Sequence, residues 1–193
     1  MARAVEVITD PRIARILVDP MRREIVRLLA EGEKTENELA GLLGLSDPSV
    51  GHHLKVLRDA KLIRVVRMEA EEHGILQKFY QSNATVYLVD SHNMRREIDR
   101  YFMPISLERV RGVMTAASLV LGREGAQFSE KDVEEFAKLF ASAIVRSSTK
   151  FSKRWKGSRE ELLAALYRNA LSYVLANPGS ISENVRKLLR AFR

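Results

Sequence analysis

Apolar residues in the first third of the chain recur three and four apart, the spacing of helices with one buried face. Asp10 and Pro11 read as an N-cap and first helical residue, followed by Ile13, Ile16 and Leu17. Asp19-Pro20 repeats the signal, and Met21, Ile25, Leu28 and Leu29 form one stripe ending near Gly32. Thr35 with Glu38 is a capping box for a third helix, which carries Leu39, Ala40, Leu42 and Leu43 and stops at Gly44. Ser46 caps a fourth helix with Pro48 in its first turn. Its stripe is Val50, His53, Leu54 and Leu57, and it runs to about Ala60.

The period then shortens to two. Ile63 to Met68 alternates β-branched residues with Arg, Glu69 to Gly74 is a polar turn, and Ile75 to Gln81 is a second strand, which together predict a hairpin. Ala84 to Val89 is a candidate third strand. Helical signals return from Asn93. A short basic helix, Met94 to Phe102, is expected to break at Pro104. Ser106 caps a helix through Val110, Val113, Met114, Ala117 and Leu121, ending at Gly122. Ser129 caps another, with Val133, Phe136, Ala137, Phe140, Ile144, Ser147, Phe151 and Trp155 on one stripe and Gly157 at its end. Ser158 and Glu161 box the start of a helix reaching Ala176. Asn177-Pro178-Gly179 is a turn, and Ser180 with Glu183 opens a last short helix. The boundary falls near residues 89–93.

Residues 35–60 therefore read helix, tight turn at Gly44-Leu45, helix. Leu39, Ala40, Leu45, Val50 and Leu54 fall where two steeply crossed helices touch, and Ala40 is small as a close crossing requires. This is helix-turn-helix packing, which aims the second helix outward, with the hairpin as a wing. The outward face holds Ser49, His52 and Lys55. Ser and His can hydrogen-bond base edges, Lys can reach a base or a phosphate, and an α-helix fits the major groove.

The stretch Glu38 to Ile63, ELAGLLGLSDPSVGHHLKVLRDAKLI, resembles the winged helix-turn-helix of ArsR-type transcriptional regulators. The likeness covers roughly residues 10–82 and is most specific from Leu45 to Leu57. It implies a homodimeric, DNA-binding repressor, often with an effector that loosens DNA binding. Ser46, Pro48, Ser49, His52 and Lys55 match recognition-helix positions that face DNA in that family. Gly51 stands where members often have Ser; it permits closer backbone approach at a cost of about 1 kcal/mol of helix propensity. Lys61 replaces the Gly that usually ends the recognition helix. The remaining hundred residues exceed the compact family pattern and look more like archaeal members with a C-terminal extension.

Composition narrows the classes. With 193 residues, 46% apolar and 30% charged, the chain has room for one or two globular domains. It has no cysteine, which removes disulfides, thiolate metal sites, thiol nucleophiles and iron–sulfur clusters. No apolar run suits a membrane span or an export signal, so a cytoplasmic protein is expected. The net charge of +7 is uneven: residues 1–92 hold 13 basic and 14 acidic residues, and residues 93–193 hold 19 and 11. Yet residues 48–68 contain five basic residues (Lys55, Arg58, Lys61, Arg64, Arg67) against Asp59 alone, a local excess on the expected DNA side. Arg58, Arg64, Arg67 and Lys78 are expected to hold phosphates. Glu69, Glu71 and Glu72 would keep the wing tip out of the groove.

Other candidates weigh less. His52 and His53 point about 100° apart on a helix and cannot share an ion comfortably, and His53 reads as a satisfied core residue. Asp90-Ser91-His92 resembles the opening of a zinc-sensing motif of some ArsR-type proteins, but Met103 and Ser106 stand where its second half would fall. No metal or other cofactor is expected. Gly122 to Gly125 is a turn, and no residue set has catalytic spacing, so an enzyme is not expected. Arg146, Lys150, Lys153, Arg154, Lys156 and Arg159, interleaved with Phe151 and Trp155, form a second nucleic-acid surface, a solvated helix face or, as a third option, the side of a pocket for an anionic effector.

The sequence thus predicts a mainly α protein. A winged helix-turn-helix DNA-binding domain, 1–92, precedes an all-α region, 93–193, that dimerises and offers a place for an unidentified effector. The expected partners are double-stranded DNA and a second copy of the chain, with no membrane. Two rival readings remain open: a winged-helix module for protein contacts in a transcription assembly, and an RNA or single-strand binder using the basic helix 146–159.

Overall fold

The helix starts marked in the sequence are made by side chains that close onto free backbone amides. In the computed structural model, which describes residues 2–70, 76–123, 127–151, 155–177, 179 and 181–189, α1 is Pro11–Ile16 and α2 is Pro20–Glu31. Asp10 accepts from the Arg12 amide, and Asp19 from those of Met21 and Arg22. α3, Glu36–Leu43, has the full reciprocal box: Thr35 Oγ1 accepts from the Glu38 amide at 3.2 Å and the Glu38 carboxylate accepts from the Thr35 amide at 2.7 Å. The bond from the Thr35 amide holds the Glu38 carboxyl below its usual range. α4 is Asp47–Asp59.

The chain divides into two units, Met1–Val89 with Phe151–Leu162 and Asp90–Lys150 with Leu163–Arg193. The return of 151–162 to the first unit has no counterpart in the sequence reading, which placed Phe151 and Trp155 on one long helix. The first unit's core is Ile25, Leu29, Leu39, Val50, Leu54, Leu57, Leu62 and Ile63, all essentially without exposed surface. Each such burial contributes about 1.5–3 kcal/mol relative to exposure, and α2, α3 and α4 share it. Ala40, buried on α3, allows the close crossing the sequence implied.

β2, Ile63–Ala70, and β3, Leu76–Ser82, pair antiparallel as the wing, with Met68 opposite Lys78 and a register shift between Val65 and Arg67. Glu71 and Glu72 of the expected tip lie outside the described residues. β4, Ala84–Val89, does not extend the wing. It pairs in parallel with β1, Arg3–Ile8, Val5 standing opposite Val86. The sequence reading had no strand at 3–8. Ala4, Val5 and Ile8 are buried there, but the partner that satisfies their backbone lies some eighty residues downstream.

In the second unit, α5 runs unbroken over Arg96–Val120 with Pro104 inside it, which corrects the expected break and the expected Ser106 cap. Ile98, Phe102, Ser106, Val110, Met114 and Ala117 are buried, so one stripe passes straight through the proline and holds the helix together. α6, Glu130–Ser148, begins as predicted with Ser129 Oγ accepting from the Asp132 amide. It stops far short of Gly157. Ser148 Oγ donates to the Val145 carbonyl and Thr149 Oγ1 to that of Arg146, and a 3-10 turn at Thr149–Phe151 follows. Hydroxyls bonded back in this way compete with the helical ladder. α7, Arg159–Ala176, opens with the predicted box, Ser158 and Glu161 bonding reciprocally at 2.8 and 3.1 Å. α8 is Glu183–Leu189; the expected Ser180 cap lies outside the described residues, and Ser182 Oγ accepts from the Val185 amide. No helix among the described residues is long and apolar enough to cross a membrane.

Candidate nucleic-acid interface

Two left-handed residues bracket α4 and set its direction. Gly44, at φ 64°, ends α3 where a side chain would be strained, and Leu45 donates its amide back to the Ala40 carbonyl at 3.1 Å. Lys61, at φ 59°, ends α4: its amide donates to the Arg58 carbonyl at 2.8 Å and that of Leu62 to Leu57 at 2.9 Å. That double closure is a Schellman motif, and buried Leu57 and Leu62 supply its apolar contact. Lys61 thus takes the backbone role the resemblance gives to glycine.

Asn83 and Tyr87 lock this end of the helix to the strands, and neither was singled out in the sequence. Asn83 Nδ2 donates to the Lys61 carbonyl at 2.7 Å, and Tyr87 Oη donates to the Leu62 carbonyl at 2.6 Å. Burial raises the Tyr87 phenol far above its ordinary pKa, so it stays a donor. An Asn between two strands reads only as a turn residue, which is why the sequence carried no signal for this role.

The exposed side of α4 carries Ser46, Pro48, His52, Lys55 and Arg58, with Ser49 and Gly51 half-buried beside them. Ser46 holds the N-cap position, its carbonyl accepting from the Ser49 and Val50 amides. Its hydroxyl makes no capping bond, a departure from the expected side-chain cap. At Gly51 a Cβ would lie 2.6 Å from Glu36 Oε1, the end of a flexible side chain, so a larger residue there would require the Glu36 carboxylate to swing aside. His53 is largely buried, but its Nδ1 lies 3.9 Å from Asp19 Oδ2, beyond hydrogen-bond range, and has no hydrogen-bond partner among the described residues. At Nδ1, the satisfied core histidine that was expected is not found.

The four expected phosphate-holding cations divide into two kinds. Arg58 is exposed, 3.9 Å from Asp59, and Lys78 is exposed on β3. Arg64 is turned inward at the wing base, donating to Gln81 Oε1 at 2.7 Å and Asn83 Oδ1 at 2.6 Å. Arg67 lies over the Phe79 ring, donates to Glu33 at 2.7 Å and pairs with Glu69. Apart from Glu69, these partners come from distant positions that periodicity cannot show.

The basic segment does not form one helix face, because α6 ends at Ser148. Arg146 lies 5.1 Å from the Tyr173 ring and Lys150 donates to Asn169, while Lys153 and Arg154 lie outside the described residues. His92 Nδ1 sits 2.9 Å from Asp99, which also accepts from Ser91 Oγ. Among the described residues no group of three His, Asp or Glu is placed to hold a metal ion.

Comparison with known proteins agrees with this geometry. The family profile described as bacterial regulatory protein, arsR family, matches residues 19–65, from the N-cap of α2 into β2. The transcriptional repressor SdpR of Bacillus subtilis is 35% identical over 81 residues, which is 42% of this chain and 82% of SdpR. The HTH-type transcriptional regulator Rv2034 of Mycobacterium tuberculosis is 46% identical over 91 residues, 47% of this chain and 76% of that protein. A second regulator of that organism, KmtR, is 42% identical over 55 residues, 28% of this chain and 42% of its own. With its winged helix-turn-helix and these relatives, the chain belongs to the arsR family of transcriptional regulators.

Proposed function

We propose that the protein binds double-stranded DNA sequence-specifically, as a homodimeric repressor of transcription, with α4 in the major groove. The observation that carries this reading is the outer face of α4. His52 and Lys55 stand exposed beside Ser49, and among the described residues Lys55 has no ion-pair partner. Ser49 and His52 read base edges, and Lys55 reaches a base or a phosphate. Arg58 and Lys78 hold the backbone, with Ser46 at the helix start. Arg64 and Arg67, engaged within the protein, fix the hairpin from which Lys78 projects.

A second reading rests on the wing. Met68, Ala70 and Leu76 are exposed on the same side of the hairpin around Lys78, apolar side chains about one cation that suit a protein partner in a transcription assembly. It predicts negligible affinity for free duplex.

Selection from random duplex at near-physiological salt, with bulk DNA as competitor, separates the two. An inverted repeat with half-site centres about ten base pairs or a further turn apart is the expected product. On that duplex Lys55→Ala weakens binding and flattens the salt dependence by about one counterion. Ser49→Ala or His52→Ala relaxes specificity at one base step. No enrichment would leave the protein-contact reading standing.

A further inference from the structure

The return of residues 155–160 to the first unit creates a space that the DNA-binding reading does not use. A cavity of about 560 Å³ lies there, lined among others by Glu31 at the end of α2, Arg64, Gln81 and Thr85 on β2, β3 and β4, and Trp155 and Arg159. Its size is that of a pocket for a small organic molecule. Trp155 is half-buried, and its ring is fixed: Nε1 donates to the Ser158 carbonyl at 2.9 Å, and the Phe151 ring stands edge-on at 5.8 Å. An indole held in this way offers a planar ring a stacking surface without further ordering.

The charged groups on the wall differ in what they have left to give. The Glu31 carboxylate is paired with Arg27, and Glu160 is largely exposed. Arg159 approaches Glu160 no closer than 4.0 Å, outside hydrogen-bond range, and its side chain is three-quarters buried. Arg64 spends guanidinium N–H groups on Gln81, Asn83 and the Ser82 carbonyl, and retains its Nε–H. Unused guanidinium donors beside a fixed indole are matched by a carboxylate on a flat ring.

We propose that this cavity binds a small aromatic carboxylate, its ring against Trp155 and its carboxylate on Arg159 and the free edge of Arg64. Arg64 and Gln81 belong to the two wing strands, so occupancy acts on the hairpin and changes the affinity for DNA; this second step rests on the DNA-binding reading above.

Trp155 is the chain's single tryptophan and reports on the cavity directly. The full chain is titrated with para-nitrobenzoate, which quenches indole on contact, and with the uncharged para-nitrobenzamide as control. Saturable quenching by the carboxylate is expected. The amide, and the carboxylate on Arg159→Gln, bind about tenfold or more weakly, the loss of a charge-assisted hydrogen bond. Arg159→Gln leaves the Ser158–Glu161 box intact, and an unchanged circular dichroism spectrum verifies its fold. Linear, unsaturable quenching, or equal binding of carboxylate and amide, overturns the site. The selected duplex is then titrated with and without para-nitrobenzoate. A changed affinity in the wild type that is absent in Arg159→Gln supports the coupling, and an unchanged one overturns it. A protein that quenches saturably but binds no duplex under any condition overturns the DNA-binding reading and leaves the ligand site standing.

Discussion

Lys61 holds a backbone conformation that costs an L-residue about 1–2 kcal/mol, and among the described residues it is the one non-glycine with positive φ. The strain persists because both closing bonds of the α4 terminus and the Asn83 bond to the Lys61 carbonyl require that geometry. Lys61→Gly removes the strain but loosens the unfolded chain by about 0.5–1 kcal/mol. The expected net gain is therefore at most about 1.5 kcal/mol. It would be seen as a higher urea midpoint at unchanged slope; a lower midpoint would show that the lysine side chain contributes more than the backbone loses. At the same scale, the candidate site was only half legible. The outward positions of α4 follow from helical period alone, so Ser49, His52 and Lys55 could be placed from sequence. The partners of Arg64 and Arg67 could not, because Glu33, Gln81 and Asn83 are brought to them by strand pairing.

Among the elements, the capped helices were the most readable. Asp10, Asp19, Thr35 and Ser158 act through neighbours two or three residues away, so local chemistry decides the outcome. α5 and α6 show where local rules yield. Pro104 satisfies every local criterion for a break, yet the buried stripe from Ile98 to Ala117 outweighs the lost hydrogen bond at the Arg100 carbonyl. Pro104 is itself exposed, so Pro104→Ala removes no core contact. It should stabilise the second unit by up to about 3 kcal/mol. Slower amide exchange around residues 100–108 would accompany the higher unfolding temperature; unchanged exchange would mean that the helix already accommodates the ring without cost. In α6 the apolar spacing continued to Phe151 and Trp155, but three consecutive hydroxyl residues ended the helix first, and Trp155 went to a different unit.

At the scale of the whole molecule, the proposed dimer has a candidate face on α5. Tyr101, Ile105, Leu119 and Val120 are exposed along it, the last two 60% and 68% so, with small Gly112 and Ala116 between. A helix of this length extends about 37 Å, enough to contribute much of the roughly 800 Å² per partner that a stable interface needs. Sedimentation equilibrium is expected to give a dimer of the 21.9 kDa chain, and Leu119→Glu with Val120→Glu a monomer of unchanged helix content. A wild-type monomer at micromolar concentration would remove this face from the proposal.

The parallel pairing of β1 with β4 has a consequence for how the first unit is assembled in time. Arg3 to Ile8 are synthesised before the helices of the module, yet their hydrogen-bonding partners, Ala84 to Val89, emerge only after α1 to α4 and both wing strands. The helix-turn-helix can collapse from contacts close in sequence, but this strand pair must close a loop spanning the rest of the module. β1 is thus among the last elements of the module to be satisfied, and until then its Ala4, Val5 and Ile8 stand as an open edge. Closure of this strand pair is therefore a late, non-local event, timed by the arrival of β4 and not by the helices that carry the proposed DNA-facing residues.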